Sequence, residues 1–261
     1  MSPTPELEAE VLLAHVMKQP RSYFRAWPEV VPPPDVCRTF LDLLERRQAG
    51  EPVAYLVGTR EFWSREFVVT PQVLIPRPDT ELLVEKALER IPARTSTIAD
   101  LGTGSGVIAI TLALERPNSQ VIATDRSIQA LKLARHNAKR LRAGNVSFIH
   151  TSWMTPLTQH HFDVIVSNPP YIASGDPHLK QEIRFEPADA LIGGHDGLEA
   201  IREIVTQSPC HLRPGGWLLL EHGYDQASHV GRLLAESGFV SIECHHDLQG
   251  HPRITQAQWS P

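Results

Sequence analysis

The sequence predicts an α/β fold: a mostly parallel sheet covered by helices on both faces, preceded by a small helical module. Three observations predict it. From about residue 95 onward, short and nearly continuous apolar runs alternate with segments of helical periodicity, as in parallel strands buried on both faces. A glycine-rich segment, residues 102–106, follows the first of these runs directly and opens a helix. Residues 1–57 carry only helix-like patterning, which separates them from the rest of the chain.

Leu7, Val11, Leu12 and Ala14-His15-Val16 supply one apolar helical face, ended by Pro20. Val31-Pro32-Pro33-Pro34-Asp35 marks a second break. Val36 to Gln48 then sets Phe40, Leu41, Leu43 and Leu44 on a helix that Gly50 can terminate. Residues 58–78 change texture. Glu61-Phe62-Trp63 and Glu66-Phe67-Val68-Val69-Thr70 read as two short strands around a turn at Ser64-Arg65, and Pro71, Pro76 and Pro78 punctuate the exit.

A helix begins near Asp79-Thr80 with Leu82, Leu83, Val84, Ala87 and Leu88 on its apolar side. Thr97 to Leu101 is the first parallel strand, and Val107 to Leu114 the helix after it, stopped at Pro117-Asn118. Gln120 to Asp125 is the second strand. Ser127 caps a helix carrying Ile128, Leu131, Ala134, Ala138 and Leu141. Val146 to His150, Phe162 to Ser167 and Gly216 to Glu221 are further strands. The tail from Val240 to Trp259 adds two more, for seven in all. The expected division is a helical bundle over 1–57, a hairpin linker over 58–78 and the α/β domain over 79–261.

Composition narrows the function classes. The chain has 261 residues, 41% hydrophobic and 21% charged, an ordinary globular balance. A net charge of −5 argues against a general nucleic-acid coat, which needs a basic field to displace counterions. The basic helix face of Lys132, Arg135, Lys139, Arg140 and Arg142 reads as solvated surface. No apolar run approaches the ~18 residues of a membrane helix. The segment from Met1 to Glu6 lacks the basic start and apolar stretch of a signal peptide, so a cytoplasmic location is expected. Cys37, Cys210 and Cys244 are far apart and form no C-x-x-C pair; reduced, buried thiols are expected. The adjacent pairs His160-His161 and His245-His246 have no metal-site spacing, and no metal is expected.

Ligands of parallel sheets bind beyond the carboxyl ends of the strands. Asp100, Asp125, Trp153 and Asn168 all lie near such ends. In Asp100-Leu101-Gly102-Thr103-Gly104-Ser105-Gly106 the glycines allow a tight turn and close approach of a ligand to the backbone. The G-x-G-x-G spacing is one residue shorter than the dinucleotide fingerprint. Asp125, ending the next strand, can accept hydrogen bonds from both hydroxyls of a ribose or cap the following helix.

Asn168-Pro169-Pro170-Tyr171 follows the apolar strand end Val164 to Val166. Two prolines remove two backbone donors, fix two φ angles and leave free carbonyls in a rigid turn. Asn168 adds a side-chain acceptor and Tyr171 a flat ring. A planar NH₂ group can direct one N–H to the Asn168 side-chain oxygen and the other to the Pro169 carbonyl, under Tyr171. An amide or aryl-amine nitrogen is a poor nucleophile, so aligning its lone pair is the main task. The loop fits adenine, cytosine or glutamine equally well.

The glycine loop, Asp125 and the Asn168–Tyr171 loop resemble the class I methyltransferase pattern for amino or amide nitrogens. Glu51-Pro52-Val53-Ala54-Tyr55-Leu56, Gly58-x-x-Glu61-Phe62, Ile75-Pro76-Arg77-Pro78-Asp79-Thr80-Glu81, Asp176-Pro177-His178-Leu179, Arg184-Phe185-Glu186-Pro187 and Leu220-Glu221-His222-Gly223 narrow it. With them the chain resembles the peptide chain release factor N5-glutamine methyltransferase family (PrmC/HemK) over almost its whole length. The resemblance implies a Rossmann-like class I domain, an N-terminal helical bundle for substrate recognition and a linking β-hairpin. It implies methyl transfer from S-adenosyl-L-methionine, leaving S-adenosyl-L-homocysteine, to the glutamine of the Gly-Gly-Gln motif of class I release factors. By carry-over, Gly102, Thr103, Gly104, Ser105 and Gly106 bind the methionine part of the cofactor, Asp125 the ribose, and Trp153 packs near the adenine. Asn168, Pro169, Pro170 and Tyr171 hold the glutamine, while Arg184 and Glu186 brace the site. One departure weakens the adenine contact: Ser152 stands where many relatives carry an acid. The competing expectations are a ribosomal-protein glutamine methyltransferase, a DNA adenine methyltransferase and a non-enzymatic adaptor that keeps the cofactor fold. No long basic insert follows the acceptor loop to serve the DNA reading, and a monomer is the default state.

Overall fold

In a computed structural model the chain is described over residues 4–155, 157, 161–180 and 182–260. The N-terminal segment forms four helices: α1 (Pro5–Met17), α2 (Ser22–Ala26), α3 (Pro34–Gln48) and α4 (Val53–Val57). Prolines stand at the first positions of α1 and α3, where their missing N–H would have no helical partner. Leu12, Leu43 and Leu56 form a small core with Val16 and Phe40 packed on it. The guanidinium of Arg47 clasps the Glu8 carboxylate by two bonds, 2.8 and 3.1 Å long, tying α3 to α1. The short helices α2 and α4 do not show in the periodicity. For α4 the signal is punctuation: Pro52 before it and Gly58, at φ 76°, closing it.

The hairpin is β1 (Thr59–Phe62) and β2 (Arg65–Val68), paired antiparallel with Phe62 opposite Arg65. Its turn is Trp63-Ser64, one residue earlier than the sequence pattern suggests. Both residues have positive φ, 52° and 55°, as a two-residue turn matching strand twist requires. The strain at Trp63 is offset by tertiary bonds: its N–H donates to Glu81 at 2.7 Å and its indole N–H to Glu115 at 3.2 Å.

The remaining elements alternate as expected: α5 (Thr80–Arg90), β3 (Thr97–Leu101), α6 (Val107–Glu115), β4 (Gln120–Asp125), α7 (Ile128–Leu141), β5 (Val146–His150), β6 (Phe162–Ser167), α8 (Glu199–Gln207), β7 (Leu212–Glu221), α9 (Ala227–Glu236), β8 (Phe239–His246) and β9 (Pro252–Trp259). The strands form one seven-stranded sheet in the order β5-β4-β3-β6-β7-β9-β8, parallel except for β9, which is antiparallel to both neighbours. β7 begins at Leu212, ahead of the predicted Gly216, because Gly215 at φ 81° lets the chain bend without leaving the strand. Ser127 caps α7, its side chain accepting from Ala130 N–H at 3.2 Å.

Alternate strand residues feed two cores. Ile98, Val164 and Val166 pack with Leu83 of α5 and Ile110 of α6. Ala99, Leu101 and Ile165 pack with Ile201 and Ile204 of α8 and Leu234 of α9. The chain changes direction across the sheet between β3 and β6, and the ends of these two strands are joined by Ser167, whose hydroxyl donates to the Leu101 carbonyl at 2.7 Å. That switch point sets the location of the site.

Two surface expectations need correction. The three cysteines are free, but Cys210, at the end of a short helical turn, and Cys244, on the edge strand β8, are exposed, and Cys37 in the first turn of α3 is half-buried. The α7 basic face is not wholly solvated: Arg140 pairs with Glu66 of the hairpin, and Arg135 donates to the Phe148 carbonyl at 2.9 Å. His160 lies outside the described residues. Among the described residues, no helix is long and apolar enough to cross a membrane, and no group of three His, Cys, Asp or Glu is placed to hold a metal ion.

Candidate active site

The carboxyl ends of β3, β4 and β6 open on a cavity of about 540 Å³. Its wall includes Gly102, Gly104, Asp125, Ser152, Trp153, Asn168 and Pro170. A smaller pocket of about 180 Å³ is lined by Leu74, Arg77, Asn168, Pro169, Tyr171 and Ile183, among others. Asn168, Leu74 and Ala190 belong to both, so the two chambers meet at the Asn168–Tyr171 loop.

The glycine loop divides its labour. Gly102 and Gly104 face the large cavity; at Gly104 a Cβ would meet nothing within 4 Å, and its φ is +55°. Thr103, Ser105 and Gly106 are absent from the wall and shape the loop from behind. Thr103 donates from its hydroxyl to Asp100 Oδ2 at 2.6 Å. A Cβ on Gly106 would stand 2.7 Å from the Ile110 side chain and 3.1 Å from Ala134, so this glycine lets α6 approach α7. The Ser105 carbonyl accepts from the Asn137 amide at 2.9 Å, and the same side chain takes the Val68 N–H at 2.9 Å and reaches the Val68 carbonyl at 3.0 Å. Asn137 thus fastens the hairpin and the glycine loop to α7.

Asp100 is fully buried; burial lifts its carboxyl to about 7 despite bonds from Thr103 and from the Ala109 N–H. Among the described residues its Oδ1 has no partner. Asp125 accepts from Gly104 N–H at 2.9 Å and from Ser127 N–H at 2.8 Å, one on each oxygen. It therefore both braces the loop and starts α7. Each oxygen keeps a second lone pair, and the carboxylate lines the cavity. Burial raises its pKa. The Trp153 ring lies over Gly102, where a Cβ would come within 3.3 Å of it, and its indole N–H donates to Glu203 at 2.9 Å. Trp153 itself has φ 50°, a left-handed conformation held by these contacts.

In the Asn168–Tyr171 loop, Asn168 Nδ2 donates to Thr80 Oγ1 at 3.1 Å, Thr80 donates to Glu221 Oε2 at 2.8 Å, and the Tyr171 hydroxyl donates to Glu221 Oε1 at 3.3 Å. Burial raises the Tyr171 phenol, so it stays protonated and can donate. His222 is buried and burial lowers its pKa; its Nδ1–H donates to the Gly223 carbonyl at 2.9 Å, leaving Nε2 to accept from Thr255 at 2.7 Å. Glu186 is buried, takes the Ile75 N–H at 2.9 Å and pairs with Arg77 of the small pocket. Arg184 reaches the other way, donating to the Ala49 carbonyl at 2.8 Å and lying 5.0 Å over the Phe185 ring. Sequence reasoning misses Thr80, Glu221, Arg77 and Asn137 as site residues. Thr80, Glu221 and Arg77 fall inside the motif segments, yet the Thr80–Glu221 bond spans 141 positions, which no local pattern reports.

Comparison with known proteins matches this architecture. The methyltransferase small domain model covers residues 78–191, and the PrmC N-terminal domain model covers 1–58. The release factor glutamine methyltransferase of Pseudomonas aeruginosa is 50% identical over 99% of this chain and 94% of its own. The chain belongs to the release factor glutamine methyltransferase family. The Vibrio cholerae member is 47% identical over 99% of this chain and 91% of its own. A T. thermophilus 16S rRNA methyltransferase solved in complex with AdoMet and guanosine shares the fold, with a TM-score of 0.55 at 22% identity over 77% of this chain and 49% of that one. The fold is therefore that of class I methyltransferases, and the chain is an enzyme of methyl transfer.

Proposed function

We propose that the protein transfers a methyl group from S-adenosyl-L-methionine to the side-chain amide nitrogen of the glutamine in the Gly-Gly-Gln motif of class I release factors. The observation that supports this reading is the shared wall at Asn168, where a pocket of about 180 Å³ adjoins a cavity of about 540 Å³. Family membership selects glutamine among planar NH₂ groups.

The residues fit the donor. Gly104 leaves open space for close approach, Asp125 has lone pairs for ribose hydroxyls, and Trp153 offers a flat face over Gly102. The orphaned Asp100 Oδ1 is an unmet acceptor beneath the loop. Ser152 on the cavity wall offers a weaker acceptor than a carboxylate toward the adenine amino group. S-adenosyl-L-methionine supplies an already activated methyl, so neither a metal nor a strong base is required before transfer.

What this chain adds is alignment. The Asn168 side-chain oxygen and the Pro169 carbonyl take the two N–H bonds of the amide, and Tyr171 packs over its plane. With the donor bound, the nitrogen lone pair would face its methyl carbon; N–C bond formation would accompany S–C cleavage to leave S-adenosyl-L-homocysteine, and the surplus proton would pass to water. Alignment of this kind is worth up to ~7–11 kcal/mol of the barrier. Glu186 and Arg77 hold the pocket wall through the 75–77 segment, while Arg184 links it to the helical module. The helical module over 1–57 and the hairpin linker over 58–78 serve to recognise the release factor, and the 79–261 domain performs catalysis. The enzyme acts in the cytoplasm as a monomer, on protein and not on nucleic acid.

The test supplies methyl-labelled S-adenosyl-L-methionine with a purified release factor, ribosomal proteins and DNA in one mixture. Label confined to the release factor supports the reading. Label on a ribosomal protein or on adenine refutes it, and no transfer at all would favour the adaptor.

A further inference from the structure

Asn168 can serve a planar amino group in only one of two orientations. With its carbonyl toward the acceptor it receives an N–H; flipped by half a turn it would present its own N–H groups and repel the substrate. The two ends of an amide have nearly the same shape, so packing in a proline-flanked loop does not choose between them. The choice is made by side chains remote in sequence.

Thr80 has a single hydroxyl proton. At 2.8 Å from Glu221 Oε2 that proton points to the carboxylate, which when ionised can only accept. Thr80 Oγ1 is then left with lone pairs toward Asn168, 3.1 Å away, and only the NH₂ end of Asn168 can satisfy it. The Asn168 oxygen is thereby kept free of this chain's own donors among the described residues. Thr80 and Glu221 are 2% and 1% exposed, so water does not replace either bond. The Tyr171 hydroxyl secures the other oxygen of Glu221 at 3.3 Å, linking the far end of the same loop.

We propose that Thr80 and Glu221 are positioning residues that set the Asn168 amide with its oxygen toward the methyl-accepting nitrogen. The inference rests on the reading of Asn168 as hydrogen-bond acceptor for that nitrogen. It carries a pH signature. The groups facing Glu221 are Asp79, which precedes α5, Thr80 at the start of α5, Tyr171 from the acceptor loop and Arg253 from β9. Burial, aided by Asp79, lifts the carboxyl to about 7 against the pull of Thr80, Tyr171 and Arg253. Once protonated, Glu221 can donate to Thr80, whose own proton then turns to Asn168 and reverses the amide.

The experiment is steady-state kinetics on release factor, with calorimetric binding of S-adenosyl-L-methionine, for Thr80→Val, Thr80→Ser, Glu221→Gln and Asn168→Ala in the full chain. Thr80→Val keeps the volume and removes the relay; turnover is expected to fall on the order of 10²-fold with donor affinity unchanged. Thr80→Ser restores most of the loss. Wild-type turnover falls as pH drops below about 7, the range of the Glu221 carboxyl, and this acid limb is absent from Glu221→Gln whatever its plateau. Thr80→Val with wild-type turnover, beside an inactive Asn168→Ala, overturns the inference alone. Asn168→Ala with near-normal turnover overturns the underlying reading of the loop. Should Thr80→Val also lose donor binding, the pH profile decides: an acid limb that persists in Glu221→Gln overturns the proposal.

Discussion

Replacing Asn137 should damage both stability and donor binding, although it touches no ligand. Its amide makes three bonds: from Val68 N–H at 2.9 Å, to Val68 carbonyl at 3.0 Å and to Ser105 carbonyl at 2.9 Å. The side chain is fully buried on α7. Asn137→Ala strands three backbone groups. The two at Val68 are partly reachable by water and cost about 1 kcal/mol each, while the buried Ser105 carbonyl costs about 1–3 kcal/mol. The sum, about 3–5 kcal/mol, lowers the melting temperature by roughly 10 °C for a chain of this size. Asn137→Asp keeps the shape but aims lone pairs at two carbonyls, so it should be the worse of the two. Thermal unfolding followed by circular dichroism measures the shift. Calorimetric titration with S-adenosyl-L-methionine should show weaker binding in both variants, since the glycine loop loses its tie to α7. A drop of under ~2 °C in Asn137→Ala, or an Asp variant as stable as the Ala variant, would refute the reasoning.

Trp153→Ala removes the ring over Gly102 and should weaken donor binding about tenfold or more while leaving turnover at saturating donor less affected; a fall in turnover alone would argue against a cofactor-wall role. Leu12→Ala empties the centre of the small helical core and costs about 2–5 kcal/mol. Proteolysis near the α1–α3 connections should accelerate with donor affinity unchanged, and methylation of whole release factor should fall more than that of a short Gly-Gly-Gln peptide. Glu221 titrates near 7 in the fold because it is buried, so the folded protein holds its proton where the unfolded chain has lost it. Its contribution to stability is present in acid and is lost as pH rises from the ordinary carboxylate range through about 7. The melting temperature of Glu221→Gln relative to wild type should therefore increase between pH 5 and pH 8; a constant difference would contradict it.

Legibility in the sequence followed the range of the interactions. The glycine loop, Asp125 and the Asn168–Tyr171 turn are local features at strand ends, and parallel strands bring such ends together without further instruction. The hairpin turn is displaced by one residue from its expected place because Trp63 looks like a strand residue; its positive φ is sustained by Glu81 and Glu115, which lie outside the hairpin. The helix α4 is only five residues long, too short to show periodicity, and is marked only by Pro52 and Gly58. Helices α8 and α9 complete the alternation without being legible individually. The insertion of antiparallel β9 between β7 and β8 depends on pairing partners, which alternation within a strand does not encode. The Thr80–Glu221 bond joins the start of α5 to the end of β7; both residues lie in motif segments, but no local pattern reports that they pair across 141 positions.

Asn168-Pro169-Pro170-Tyr171 is proposed to present a glutamine amide to a sulfonium methyl. The most direct measurement is tandem mass spectrometry of the Gly-Gly-Gln peptide from a class I release factor, recovered after incubation with the enzyme and S-adenosyl-L-methionine. One methyl on the glutamine side-chain nitrogen with wild-type enzyme, and none with Asn168→Ala, is the predicted result. A methyl on any other residue, or an unmodified glutamine beside methylated ribosomal protein or DNA, would contradict it.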